Sequence, residues 1–591
     1  MSPSADPILE PLQRGRVERR RRPASGEGAL LVLVDSSGPY HQRSLVDETV
    51  LVALEHLGLP YRMLDLAGTR PTPALLASCA GLVLAQDGLG DRLTEAETQI
   101  IAEAVRAGLG LVNLDWDLRR YAGPLLDIFG FADVGRLPFA SDQFYVRDDT
   151  HYITWLQTGR RFHTAKRMVT ALAVGSWRAD VAPLVEMALG KDQLVYTRHL
   201  VPGNVFEPRH YPVVFAARWG QGRAVQFAVN PRVWRAAALG RLGGLGDVFW
   251  RSLLWVARKP FVANTVPPFV TMSFDDCGGR HDFAYLDICT RHGYRPLASL
   301  FIDDIQGRHL PGLRARALAG EIMVNTHAMR YYDLQLYDFG VDELPVAELE
   351  RRFARDDAFY ARLGAPCART VRDHWGELGA RSLPYLKARG RTTINTPVLV
   401  GEHKADQIIP PGGQGYWPYN STLCFYDTLP HDNDFYIMGA FNERHLADFL
   451  TGATQLLREA PVNDVARAAE GAAHQIRHGL SNGFFADVLT HEQKFTVLSL
   501  EEWDQILARA AQLTNRFEKL FVTHDHVADY LRSKDRTWIA QADLAAGAAR
   551  VRLAGQAEVP LQLSVYRDVD EGVERASLAV PAFTGQTSVE F

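Results

Sequence analysis

The sequence is poor in cysteine and has no long hydrophobic run. Its 591 residues include five cysteines, which are odd in number and widely spaced. Such a set is neither a disulfide framework nor a thiolate metal site, and it fits a reducing compartment. No stretch approaches the roughly 18 uncharged apolar residues that a membrane-spanning helix needs. The sequence therefore predicts a soluble protein that folds without disulfides.

The chain also lacks an excess of charge of one sign and a recognisable export signal. A net charge of −5 over 591 residues gives no electrostatic reason to expect a nucleic-acid partner. The N-terminal stretch "RGRVERRRRP" is basic, but the nearby apolar run "ALLVLV" is too short for the core of a signal peptide. We expect residues 1–27 to form a flexible tail and the protein to be cytoplasmic.

What is present is the composition of an ordinary globular protein, long enough for several domains. Hydrophobic residues make up 47%, charged residues 23% and aromatic residues 10% of the chain. The length exceeds what one hydrophobic core usually supports, so roughly two to four domains are expected. The stretch "ANTVPP" marks one boundary, and the onset of period-two alternation at residue 546 marks another. These signals predict domains at 28–262, 263–545 and 546–591.

Residues 28–262 alternate short apolar runs with helix-length amphipathic segments, which predicts a parallel sheet covered by helices. The stretch "FAARWGQGRAVQFAV" adds a hairpin with Phe215 and Phe227 in the core. The segment resembles the flavodoxin-like domain of class I glutamine amidotransferases. In active members of that family a nucleophilic cysteine follows the strand that matches "GLVNLDWD", where this sequence has Asp115 and Trp116. The resemblance therefore implies a scaffold without amidotransferase chemistry.

Residues 263–545 repeat the alternation of apolar runs and helices, beginning with "FVTMSF". This series predicts a second α/β domain, long enough for a complete or distorted (β/α) barrel. Residues 546–591 instead show period-two alternation with few helix formers, which predicts a small β unit. A unit of that size is too small to be stable alone, so we expect it to dock on its neighbour.

Charged and polar side chains follow several of the predicted strands in residues 263–545. The carboxyl ends of parallel strands meet at one rim of such a domain, where function is concentrated. Carboxylates, imidazoles and a guanidinium at one rim provide the ligands, base, acid and orienting cation that metal-assisted hydrolysis needs. The segments "SFDDCGG", "EIMVNTHAMRYYDL", "TVRDHW" and "DVLTH" supply Asp275, Asp276, His327, Arg372, His374 and His491.

These four segments resemble the motifs of the polysaccharide deacetylase family, carbohydrate esterases whose NodB-like domains remove N-acetyl groups from amino sugars. The resemblance implies that Asp275 is the general base and Asp276 a metal ligand. It also implies that His327 is a ligand, that Arg372 orients the base, and that His491 is the general acid. The expected cofactor is a divalent metal, zinc in the first instance. The expected substrate is an acetylated amino-sugar polysaccharide or glycoconjugate.

One position departs from the family pattern. Tyr331 stands where the second histidine of the ligand pair is expected. An alternative register places Asn325 and Met329 at both histidine positions, which would abolish a zinc site. His374 lies two residues after Arg372, and alternation along a strand puts both side chains on the same side. His374 is therefore our candidate for the third ligand of a zinc site with an open position.

Several of these features have simpler interpretations. An Asp-Asp pair after a strand can be a charged turn or a helix N-cap, and Cys277 fits a small buried residue better than a nucleophile. Gly278 and Gly279 predict close approach of substrate to the backbone. His524 and His526 fit a junction between a strand and a helix better than a ligand pair.

The aromatic stretch "GQGYWPYNSTLCFYD", residues 413–427, either stacks on sugar rings or belongs to the core. Two rival functions also stay open on the sequence alone. One is a carbohydrate-binding pseudoenzyme in which Tyr331 marks a dead metal site. The other is a deacetylase of a small acetylated metabolite.

Overall fold

The computed structural model describes residues 24–38, 46–155, 161–188, 210–234, 245–374, 381–395, 426–438, 450 and 463–591, apart from gaps of at most five residues inside these ranges. Residues 1–23 of the predicted tail and residues 413–425 of the aromatic stretch lie outside the described residues. Within the described ranges, no helix combines the length and the apolar character needed to cross a membrane.

The first domain is α/β, as its alternating pattern predicts. Its strands are Leu30–Val34 (β1), Tyr61–Asp65 (β2), Gly81–Leu84 (β3), Gly110–Asn113 (β4), Ala132–Arg136 (β5), Gln143–Val146 (β6), Arg161–His163 (β7), Leu172–Ser176 (β8), Ala182–Ala188 (β9), His210–Trp219 (β10) and Gly222–Phe227 (β11). Its helices are Val50–Leu57 (α1), Pro73–Ala77 (α2), Glu95–Arg106 (α3), Gly123–Asp127 (α4) and Leu245–Val256 (α5).

A mixed sheet organises this domain, in the order β2-β1-β3-β4-β11-β10-β9-β6-β7. Its first four strands are parallel and follow the strand order of flavodoxin-like folds. All residues of β1 and β3 are buried, because helices cover both faces of a parallel sheet. The predicted hairpin is confirmed: β10 and β11 pair as far as Trp219 and Gly222, and Phe215 and Phe227 are buried.

The turn after β4 is closed by Asp115. Its buried carboxylate accepts hydrogen bonds from the N–H groups of Gly88 (3.1 Å) and Gly90 (2.8 Å) and from the Tyr121 hydroxyl (2.9 Å). Burial raises the pKa of Asp115 to about 7. Asp115 therefore braces the neighbouring loop from inside the domain.

The second domain is also α/β. Its strands, together with β12 that precedes it, are Phe261–Thr265 (β12), Phe269–Cys277 (β13), Leu297–Phe301 (β14), Met323–Ala328 (β15), Thr370–Val371 (β16), Thr393–Asn395 (β17), Tyr426–Leu429 (β18), Asp432–Met438 (β19), Ala486–His491 (β20) and Leu520–Phe521 (β21). Its helices are Ala284–Arg291 (α6), Leu310–Leu318 (α7), Val346–Leu363 (α8), Leu383–Ala388 (α9), Val465–Ser481 (α10), Leu500–Leu513 (α11) and His524–Asp535 (α12).

Two sheets of this domain meet at the rim that carries the predicted site. One is parallel in the order β15-β14-β13-β20, with β21 beside β13, and the other has the order β16-β17-β19-β18. The N–H of Ala368, just before β16, donates to the Val324 carbonyl of β15 at 2.8 Å and joins the two sheets. The carboxyl ends of β13, β15 and β20 therefore lie at one edge, close to β16. Within the described residues these strands do not close into a barrel, so the barrel stays a prediction.

The C-terminal unit consists of two small sheets, in agreement with the period-two alternation. Its strands are Thr537–Ala545 (β22), Ala548–Ala557 (β23), Leu561–Val569 (β24), Gly572–Val580 (β25) and Phe583–Glu590 (β26). The sheets have the orders β22-β23-β26 and β12-β24-β25. The predicted boundary falls between β22 and β23, two strands that pair with each other. Residues 24–28 lie along β22, where the Gly28 N–H donates to the Ala542 carbonyl at 3.2 Å.

Candidate metal and active site

Both aspartates of "SFDD" lie at the end of β13, where the strand bulges. Regular alternation would send neighbouring side chains to opposite faces of the sheet. The pairing of β13 with β14 shifts between Phe274 and Cys277, and Asp276 adopts a left-handed conformation with a φ of 59°. A bulge re-aims side chains next to a site, and aspartate tolerates positive φ better than most residues. Asp275 and Asp276 can therefore serve one site.

Asp276, His327 and His374 come together at this bulge. One ligand atom from each side chain lies within 4.8 Å of the others. His327 Nε2 is 3.3 Å and His374 Nε2 is 3.7 Å from Asp276 Oδ1. The three residues come from β13, from β15 and from the segment after β16. The structure thus places the predicted third ligand, His374, beside the other two.

Hydrogen bonds fix both imidazole rings. His327 Nδ1 donates to the backbone carbonyl of Arg372 at 2.7 Å, and His374 Nδ1 donates to that of Asp333 at 2.8 Å. A proton on Nδ1 leaves the Nε2 lone pair of a neutral imidazole available to a metal. Burial, followed by the charge of His327, lowers the pKa of His374 to about 4, so its ring is neutral at pH 7.

The surroundings of Asp276 test whether these residues fit a cation. Its Oδ2 accepts a hydrogen bond from the Gln493 amide, whereas its buried Oδ1 has no hydrogen-bond partner among the described residues. Burial raises the pKa of Asp276, but the imidazoles around it, first that of His327, outweigh burial and lower the pKa. A buried carboxylate oxygen that no hydrogen bond satisfies is unfavourable without a cation. The donor set therefore fits a divalent metal.

Arg372 holds Asp275 in place. Its Nε donates to Asp275 Oδ1 at 2.5 Å, and both side chains are buried. Burial raises the pKa of Asp275, but the charges of Arg372, His327 and His491 outweigh burial and lower the pKa to about 2. Asp275 is therefore ionised at neutral pH and fixed in orientation, as a general base must be.

Asp487 is the first residue of the segment "DVLTH", and the sequence resemblance gives it no role in this site. It lies on β20, and its Oδ2 is 3.6 Å from Nη1 of Arg372. Its buried carboxylate also accepts hydrogen bonds from Ser273 Oγ (2.7 Å), Asn395 Nδ2 (3.1 Å) and His524 Nε2 (3.1 Å). Burial raises the pKa of Asp487, but His524 and the other donors outweigh burial and lower the pKa. Asp487 thus supports the guanidinium of Arg372 as a second carboxylate.

His491 is the last residue of β20 and lies beside Asp275 in the parallel register of β13 and β20. Its side chain is half-buried. Its charge contributes to the lowered pKa values of both Asp275 and Asp276. The predicted acid therefore lies at the same rim as the predicted base and ligand.

The structure also bears on the predictions made for Cys277, Gly279 and His524. Cys277 is buried, and burial, followed by the charge of Glu492, raises its thiol pKa well above the usual value, which agrees with a small buried residue. The predicted close approach of substrate finds no room at the Cβ position of Gly279, because a Cβ added there would lie 2.3 Å from the His309 ring. His524 begins α12 after β21, which confirms the strand-to-helix junction.

Tyr331 stands at the mouth of the site. Its side chain is 42% exposed, and its ring centroid is 5.8 Å from that of Phe301, which packs beside His327. The two residues that the alternative register would place at the ligand positions are instead part of the sheet and the core. Asn325 is buried and hydrogen-bonded inside the sheet, and Met329 is buried in the core. The geometry thus favours the register that uses His327.

Comparisons with known proteins give structural similarity alone. The sequence matches no protein-family model and no curated protein. The structure is similar to a family 4 carbohydrate esterase from Streptomyces lividans, with 12% identity over 43% of this chain and 91% of that chain and a TM-score of 0.25. It is also similar to the Bc1960 peptidoglycan N-acetylglucosamine deacetylase, with 14% identity, coverages of 45% and 90%, and a TM-score of 0.26. A protein from Bacteroides uniformis described as ThuA-like gives 11% identity, coverages of 39% and 92%, and a TM-score of 0.28. Similarities this low establish no activity for this chain.

Proposed function

We propose that this protein is a metal-dependent hydrolase that removes N-acetyl groups from an amino-sugar polysaccharide or glycoconjugate. The observation that carries the proposal is the convergence of Asp276, His327 and His374 on one point. Beside them, ionised Asp275 is held by Arg372. Hydrolysis of an amide needs a polarised carbonyl and a base at the same place, and this rim offers residues for both.

Two imidazoles and one carboxylate leave positions open around a metal, as in catalytic zinc sites. A zinc ion held by these three residues would polarise the acetyl carbonyl and lower the pKa of water at the site. The same donor set also suits Fe(II). An ionised base next to the ligands favours hydrolysis, which needs no redox change, and we therefore assign the site to zinc.

Asp275 accepts a proton from the water that attacks the acetyl carbonyl. With its pKa lowered to about 2, Asp275 is ionised throughout the neutral range. A carboxylate of such low pKa is a weak base. It would suit an attacking water whose own pKa a bound zinc ion lowers. Arg372 keeps the accepting oxygen oriented during this transfer.

His491 donates the proton that the departing amine needs. An amide nitrogen is a poor leaving group until it is protonated, so a general acid is required as the C–N bond breaks. The proton lost by water goes to Asp275, and the nitrogen receives its proton from His491. The products are acetate and a free amine.

The exposed Tyr331 ring, which meets Phe301 edge-on, offers an apolar wall at the mouth of the site. Aromatic rings combine a large apolar area with a polar edge, which suits the apolar face and hydroxyl groups of a sugar ring. This wall, together with the resemblance of the four motifs, supports an amino sugar as the substrate.

Metal analysis and acetate release test the proposal together. Purified protein should contain about one divalent ion per chain and should release acetate from N-acetylglucosamine oligomers. The Asp276→Ala variant should do neither. Absence of both from the wild type would favour the carbohydrate-binding pseudoenzyme. Acetate release from small acetylated sugars alone would favour a metabolite deacetylase.

A further inference from the structure

Glu492, the residue after the candidate acid, is buried and accepts several hydrogen bonds. Its Oε2 accepts from the Gly278 N–H at 2.5 Å, and its Oε1 accepts from the N–H groups of Gly279 (3.0 Å) and Arg280 (2.8 Å). The Tyr285 hydroxyl also donates to Oε1, at 2.9 Å. Consecutive backbone N–H groups of this kind form an anion-binding concavity, often called a nest. Here the carboxylate of Glu492 fills that nest.

The nest follows Asp276 in a loop with unusual backbone conformations. Asp276 has a φ of 59° and Gly279 a φ of 100°. Residues 281–283 continue with φ values of 48°, 49° and 65°. Non-glycine residues in this region persist where surrounding contacts hold them. Glu492 supplies such contacts to the first part of the loop.

The segment around Glu492 touches the candidate site in two places. His491 ends β20 beside Asp275, and Gln493 donates a hydrogen bond to Asp276 Oδ2. Glu492 lies between them in sequence and binds the loop that follows Asp276. One side chain therefore joins the strand end that carries the acid to the loop that carries the ligand.

We propose that Glu492 is a positioning residue that couples the orientation of Asp276 to that of His491. The proposal rests on the proposed function, which assigns those two residues their roles. Loss of the Glu492 charge releases residues 278–280, so Asp276 leaves the orientation that metal binding needs and His491 shifts with the end of β20. A purely structural brace would lower the stability of the protein without changing the metal affinity or kcat of its folded fraction.

The test is the Glu492→Gln variant, which keeps the size of the side chain but removes its charge. Glu501→Gln makes the same change at an exposed position of α11 and serves as the control. The zinc dissociation constant of folded E492Q, measured by competition with a chromophoric chelator, should rise about 10- to 100-fold. Its kcat for acetate release should fall by a similar factor while KM changes less than about threefold. E501Q should match the wild type.

Hydrogen exchange of the wild type gives a second measurement that needs no variant. The N–H groups of residues 278–280 should exchange as slowly as those of β13, because they are bonded to Glu492. Fast exchange of these groups would overturn the positioning role, and so would an unchanged zinc affinity and kcat in folded E492Q. If E492Q does not fold, fast exchange of these groups in the wild type still contradicts the positioning role.

The two proposals fail in different ways. A wild type that neither binds zinc nor releases acetate contradicts the proposed function. Exchange of residues 278–280 in the zinc-free protein then decides whether Glu492 holds the loop. A wild type that binds zinc and releases acetate, with an E492Q variant that does so equally well, contradicts the positioning role alone.

Discussion

Asp275 and Arg372 form a buried ion pair at 2.5 Å, with side chains 7% and 4% exposed. The other end of the same guanidinium is 3.6 Å from Asp487, so the arginine lies between two carboxylates. Buried ion pairs of this kind often contribute little net stability compared with apolar packing, because both charges lose their hydration. We infer that this pair is important because it fixes an ionised carboxylate next to the metal ligands.

The first prediction concerns the Asp275→Asn variant. The amide keeps the shape of the side chain but cannot accept a proton, so kcat for acetate release should fall by about 10²- to 10⁴-fold. Metal content, measured by elemental analysis, should stay at the wild-type level, because Asp275 is not one of the three converging ligands. Asp282→Asn changes an exposed carboxylate of the following loop and is the matched control. Loss of metal from the Asp275 variant would show that Asp275 is a ligand.

A second prediction separates His374 from Tyr331. The zinc affinity of the His374→Ala variant should be more than about 100-fold weaker than that of the wild type. Loss of a residue that only hydrogen-bonds to a metal ligand already lowers metal affinity about 10- to 100-fold. The Tyr331→Ala variant should keep its zinc affinity and instead raise KM for oligomeric substrate, because its ring lies at the mouth of the site. Competition with a chelator measures both affinities. Equal zinc affinity in the His374 variant and the wild type would remove His374 from the ligand set.

A third prediction uses the pKa of Asp275. The pKa of Asp275 is lowered to about 2 in the folded protein, against about 3.9 for an unfolded aspartate. The stability that ionised Asp275 contributes is therefore fully present above about pH 4. That contribution is lost as pH falls towards 2. In Arg372→Gln the lowering charge is gone, so the acid limb of kcat/KM that reports Asp275 should move to higher pH. Profiles of kcat/KM against pH for both proteins measure the shift, and an unmoved limb would contradict it.

Much of this rim is predictable from local sequence patterns. The carboxyl ends of parallel strands meet at one edge, so the motifs at these strand ends predict Asp275, Asp276 and His327 there. The structure places these residues at that edge. His374 does lie beside Asp276 and His327, but not through strand alternation, because β16 ends at Val371, before Arg372 and His374. The shared edge is predictable because it requires only short motifs and the position of the strand ends.

The remaining features depend on contacts between distant segments. Asp487 resembles any strand aspartate until Ser273, Asn395 and His524 are brought around it from three other parts of the chain. Regular alternation also misplaces Asp276, because the bulge that turns it depends on pairing between β13 and β14. Sequence periodicity contains neither kind of information.

The last prediction concerns Asp115 in the first domain. Burial raises its folded-state pKa to about 7, above the roughly 3.9 of an unfolded aspartate. The stability that this group contributes is therefore complete below about pH 4 and is lost as pH rises through 7, by up to about 4 kcal/mol. Asp115→Asn has no such titration, so the free energy of unfolding of the wild type should fall relative to that of the variant between pH 5 and pH 8. Hydrogen exchange of β4 and of residues 86–90 in both proteins measures this difference for the first domain. A difference that does not change with pH would mean that Asp115 stays ionised, held by the N–H groups of Gly88 and Gly90.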